Sequence, residues 1–95
     1  MSKRNVNQRA VALKYDPADP APKVVAKGSG VVAENIIEKG KEADIPLYKD
    51  AKLAEELTSL NLGENIPPEL YEVVAQVLIF ISDLDRLESI RRHGR

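Results

Sequence analysis

Two stretches decide the fold: Ala10-Val11-Ala12-Leu13-Lys14-Tyr15-Asp16 and Ala21-Pro22-Lys23-Val24-Val25-Ala26-Lys27-Gly28. In the first, Val11, Leu13 and Tyr15 alternate with Ala10, Ala12 and Lys14, the period of a half-buried strand. The second starts at a proline cluster and runs as an apolar strand, Lys23 to Ala26, into glycine. Between them, Asp16-Pro17-Ala18-Asp19-Pro20 carries proline too often for helix or ladder, so the connection is stiff. Gly28-Ser29-Gly30 then reads as a tight turn from strand into helix.

Downstream, Val31 to Ala43 has helical spacing, with Val32, Ala33, Ile36, Ile37 and Gly40 on one stripe. Asp44 breaks the pattern, and Ile45 to Lys49 reads as a third short strand. Strand, helix and strand in this order predict a βαβ unit with a right-handed crossover and parallel strands. Asp50 is a good N-cap for a second helix, which turns Leu53, Ala54 and Leu57 inward. Asn61 to Ile66 form a turn around Gly63. Pro67 and Pro68 open a long last helix, where proline is tolerated. In it, Leu70, Tyr71, Val74, Val77, Leu78, Ile81 and Leu84 recur at helical spacing. Val73 and Phe80 widen that stripe, which implies either deep packing or an exposed apolar patch. The expected fold is α/β: a small mixed sheet of three or four strands, three or four helices, one βαβ unit and a long C-terminal helix.

Composition narrows the function. Ninety-five residues make one small domain. There is no cysteine, which excludes disulfides and thiolate metal sites. A single histidine, His93 in a basic tail, gives no metal set, and no cofactor is expected. The formal net charge of −1 argues against a binder of nucleic-acid backbone. No apolar run approaches the ~20 residues of a membrane span, and nothing behind Met1-Ser2-Lys3-Arg4 resembles a signal peptide, so a cytoplasmic protein is expected. Glu55 and Glu56 are adjacent and do not share a helix face, and no Gly-Lys-Ser/Thr follows Gly30. No nucleophile–base constellation is present, so no enzyme is expected. Lys14, Lys23 and Lys27 read as solvated edge lysines. Arg86, Arg91, Arg92, His93 and Arg95 read as a solvated tail that complements a helix dipole.

The two opening blocks, with Ile66-Pro67-Pro68-Glu69-Leu70-Tyr71 and Val74-Ala75-Gln76-Val77-Leu78 in the same order and spacing, closely resemble the cytoplasmic domain of the FlhB/YscU family. That family forms the substrate-specificity switch of flagellar and type III secretion export gates. Its members carry Asn-Pro-Thr-His just before the first block and cut themselves there. In that motif the Asn amide attacks its own carbonyl, and proline, which lacks an N–H, closes the competing route. This chain has Asn5, Val6, Asn7 and Gln8 instead. Val6 restores the N–H, and Gln8 cannot shuttle a proton near neutral pH, so no self-cleavage is expected. Ala51-Lys52-Leu53-Ala54 lacks both prolines of the family's Pro-Pro-Leu-Ala.

The resemblance further implies an apolar surface pocket that receives short apolar signals of export substrates. Its positions fall on Ala21, Pro22, Ala75 and Leu78. The plainer reading makes Ala75 and Leu78 core and Ala21-Pro22 a loop-shaping pair. The expected organisation is a flexible leader at 1–9, a FlhB-like domain at 10–90 and a basic tail at 91–95. The expected function is that of a stand-alone, non-cleaving interaction module for protein export. Its partners would be export substrates or export-gate proteins, with a homodimer through an open sheet edge as a further expectation. A cytoplasmic binding module unrelated to secretion is the alternative, followed by a nucleic-acid-associated module using the basic termini.

Overall fold

The computed structural model describes residues 8–93, with side chains described as far as Ser82. The elements are β1 (Arg9–Lys14), β2 (Lys23–Ser29), α1 (Val31–Glu42), α2 (Ala51–Thr58), a 3-10 turn at Pro68–Leu70, and α3 (Tyr71–His93). The strands pair antiparallel, with Arg9 opposite Ser29 and Lys14 opposite Lys23, and the register shifts between Ala12 and Leu13. The connecting loop starts with a turn around Pro17. The Asp19 amide donates to the Asp16 carbonyl at 2.8 Å and the Ala18 amide to Asp16 Oδ1 at 2.9 Å, an Asx-type closure that fits proline at the second turn position.

The outer edge of β2 is fastened by the return from α2. The Gly63 amide donates to the Val24 carbonyl (2.7 Å), the Val24 amide to the Glu64 carbonyl (3.0 Å) and the Ile66 amide to the Pro22 carbonyl (2.9 Å). Gly63 has φ +83°, the left-handed turn conformation that favours glycine. Lys27, expected to be a solvated edge lysine, is instead partly buried. Its ammonium donates to the Thr58 carbonyl (3.0 Å) and the Leu60 carbonyl (2.6 Å), capping the C-terminal end of α2.

The third strand and its βαβ unit are corrected by the structure. Residues 45–49 form no ladder, and among the described residues the sheet has two antiparallel strands. The local reason is donor supply. α1 ends in a Schellman closure, in which the Asp44 amide bonds the Lys41 carbonyl (3.1 Å) and the Ile45 amide bonds the Gly40 carbonyl (2.8 Å). Asp44 takes φ +60° to close it. The Ile45 N–H is therefore consumed and Pro46 has none, so the first two residues of the expected strand have no donor to offer a ladder. Ile45, Leu47 and Tyr48 are exposed, and the Tyr48 ring meets Phe80 edge-on with centroids 5.5 Å apart.

Asp50 caps α2 as expected, its Oδ1 accepting from the Leu53 amide at 3.0 Å. The core gathers Ala21, Leu53, Leu57, Ile66 and Val74, with Val11, Leu13, Leu60, Leu70, Val73, Val77 and Leu78 packed against it. Val32 is half-exposed at the start of α1, and Tyr15 lies beyond the end of β1, exposed. Ala33 carries the buried contact of α1, which packs against both strands.

Candidate binding groove

Proline and a helix stripe build the groove. Pro20 and Pro22 have no N–H, so the loop wall they form carries few polar backbone groups that need a partner. Opposite stand Tyr71, Val74, Ala75, Leu78 and Ile79 of α3, spaced i, i+3, i+4, i+7 and i+8 along one face. With Tyr15 and Ala21 they line an open surface cleft of about 350 Å³. Its lining holds no charged side chain.

All four residues placed by resemblance line this one groove. Ala21, at 1% exposure, and Pro22 form the buried side; Leu78 is half-buried; Ala75 is exposed. The reading of Ala75 as core is thereby set aside. The floor is completed by Val74, also 1% exposed. Tyr15, Pro20, Tyr71 and Ile79 also line the groove but were missed as site residues. Tyr71 and Ile79 were detectable, because they continue the helical spacing of Ala75 and Leu78. Tyr71, on the apolar stripe of the last helix, is 46% exposed. Tyr15 and Pro20 carry no local signal that they would meet a helix more than 50 residues downstream.

A second cleft, of about 360 Å³, is lined by Gln8, Glu34, Ile37, Glu38 and Lys41, a mixture of charged, polar and apolar groups. Of the altered cleavage-motif residues, Asn5, Val6 and Asn7 lie outside the described residues. Gln8 is half-buried, and its carbonyl accepts from the Gly30 amide at 2.8 Å. The side chains of Arg86, Arg91, Arg92, His93 and Arg95 also lie outside them. Among the described residues there is no group of three or more His, Cys, Asp or Glu side chains able to hold a metal ion. No helix among them is long and apolar enough to cross a membrane.

A family model described as the FlhB HrpN YscU SpaS family matches residues 4–81. The chain belongs to this family. It is 42% identical over 92 residues to the uncharacterized protein YlqH of Bacillus subtilis, covering 96% of this chain and 97% of YlqH. It is 43% identical over 84 residues to the flagellar biosynthetic protein FlhB of Escherichia coli. That match covers 86% of this chain but 22% of FlhB, so the chain spans about a fifth of the flagellar relative. Among solved structures, a mutated EscU/SpaS C-terminal domain superposes with TM-score 0.75 at 31% identity, covering 79% of this chain and 95% of that one. The PscU C-terminal domain superposes with TM-score 0.73 at 27% identity, covering 77% and 95%. Family and solved neighbours together point to the C-terminal domain of FlhB/YscU-type export gates.

Proposed function

We propose that this domain is a non-cleaving interaction module of protein export. Acting on the cytoplasmic side, it binds short apolar segments of export substrates or gate components in the groove between the Tyr15–Pro22 loop and α3. One observation carries the reading: Ala21-Pro22 and Ala75-Leu78, more than 50 residues apart in sequence, line the same uncharged cleft, with Ala75 exposed on its wall. An apolar cleft with a buried floor and two exposed tyrosines on its wall suits an apolar side chain whose backbone remains polar. The tyrosine hydroxyls can meet that backbone.

The test is titration of isotope-labelled domain with synthetic peptides covering the N-terminal segments of the host's export substrates. Shifts confined to Ala21, Ala75, Leu78 and their neighbours support the reading. Ala75→Asp puts a charge on an exposed wall, so it should abolish those shifts while the melting temperature stays within about 2 °C, as expected for a surface substitution. Unfolding of that variant, or peptide shifts that ignore it, would count against the groove.

A further inference from the structure

The groove has no charge in its lining, but both of its walls belong to acidic stretches of the chain. The loop wall, Tyr15 to Pro22, contains Asp16 and Asp19 and no Lys or Arg. The helix wall lies within a longer run, Leu53 to Ser82, that holds Glu64, Glu69 and Glu72 among its acids and again no Lys or Arg. Asp19 adjoins Pro20 and Glu72 adjoins Tyr71, and both of those neighbours line the cleft. On α3, Glu72 stands three residues before Ala75 and seven before Ile79, so it shares the outer margin of the groove face with them. Asp16 spends its Oδ1 on the Ala18 amide. Among the described residues, neither the Asp19 nor the Glu72 carboxylate has a hydrogen-bond or ion-pair partner.

The cations that border the loop are turned away from the groove. Lys14 and Lys23 stand opposite each other in the ladder, next to the pair Leu13 and Val24. Consecutive strand residues point to opposite faces, and directly opposed residues to the same face. Leu13 packs against the core cluster that contains Val74, the groove floor, so both lysines lie on the other face of the sheet. We propose that the groove selects segments in which the apolar residue is flanked, within two or three positions, by lysine or arginine. The proposal rests on the reading of the groove as a docking site and adds the charge that its ligand carries. The apolar side chain fills the cleft, and the flanking cations pair with Asp19 and Glu72. Such pairs are solvent-exposed, so they sort segments by a few-fold rather than supply the bulk of the affinity. Glu72 also lies in the first turn of α3, where a negative charge suits the helix dipole. That role affects stability and not a preference among peptides.

Three acetylated and amidated peptides test the proposal: Lys-Ser-Leu-Phe-Ser-Lys, and the same sequence with both lysines replaced by glutamine or by glutamate. In titrations of the isotope-labelled domain at low salt, the lysine peptide should bind about fivefold more tightly than the glutamine peptide, from two exposed ion pairs. The glutamate peptide should bind more weakly than either. Shifts should map to Ala21, Ala75, Leu78 and their neighbours. The gap between the lysine and glutamine peptides should close to within about twofold at about 0.5 M salt. The double variant Asp19→Asn/Glu72→Gln should remove the lysine preference at low salt. Equal binding of all three peptides, with shifts at Ala75 and Leu78, would overturn the charge selection and leave the groove standing. A lysine preference that survives the double variant would overturn it as well. Absence of binding, or shifts that map elsewhere, would overturn the groove and the proposal together.

Discussion

Gly28 lies where β2 meets the first turn of α1. A Cβ built there stands 2.1 Å from Val32 Cγ1 and 2.7 Å from Val32 Cβ. The Cγ1 overlap can be relieved by rotating a half-exposed valine; the Cβ overlap cannot, because that atom moves only with the backbone of α1. Gly28→Ala therefore forces the first turn of the helix away from the strand. Overpacking of this kind costs about 1–3 kcal/mol. Gly28 does not have positive φ, so alanine regains about 0.4–1 kcal/mol by restricting the unfolded chain. From the middle of each range the net loss is about 1.3 kcal/mol. For a chain of 95 residues this corresponds to a fall in melting temperature of roughly 5–10 °C. Thermal and urea melts followed by circular dichroism measure it. A double-mutant cycle identifies the cause. Val32→Ala alone should be near neutral, since Val32 is 52% exposed and alanine favours helix. It should rescue Gly28→Ala only in part, because the 2.7 Å contact to Cβ remains. Val32→Gly removes that contact and should couple more strongly. A Gly28→Ala protein as stable as wild type, or a cycle without coupling, would refute the steric argument.

Lys27→Met removes the ammonium that holds the Thr58 and Leu60 carbonyls. It should destabilise by about 2 kcal/mol in urea melts, from charged hydrogen bonds that are partly shielded from water, and should raise amide exchange at the end of α2. Asp44→Gly relieves a non-glycine residue at φ +60° and should stabilise by about 0.5–1 kcal/mol, with the gain confined to the end of α1. Asn5-Val6 should stay uncut: intact mass of the purified protein over days at neutral pH should show no loss of Met1 to Asn5, because Val6 supplies the backbone N–H that proline withholds.

The strands, the Asp50 cap and the proline-opened last helix are legible in the sequence because each is set by residues within a few positions of one another. Pro17 and Asp16 close their own turn, and Asp50 reaches only to Leu53. The failures are non-local. Ile45 to Lys49 has strand propensity, but its pairing depends on where the end of α1 spends its hydrogen bonds. Lys27 looks like any strand lysine until α2 brings Thr58 and Leu60 beneath it, 31 and 33 residues later. The groove lies between these cases. Periodicity exposes the face of α3, but nothing in the pattern of residues pairs it with Ala21-Pro22; the family resemblance supplied that pairing.

Proline in the groove wall has a consequence for the kinetics of binding. Pro20 and Pro22 have fixed φ, and the Pro22 carbonyl is held by the Ile66 amide. That wall therefore has little conformational freedom left to lose when a ligand arrives. The ordering cost falls on the incoming segment and on the side chains of Tyr15, Tyr71 and Ile79. Capture should thus proceed without a slow rearrangement of the domain, at the 10⁵–10⁷ M⁻¹s⁻¹ or so of an ordinary docking encounter. Selection among segments would then be written in how quickly each one leaves.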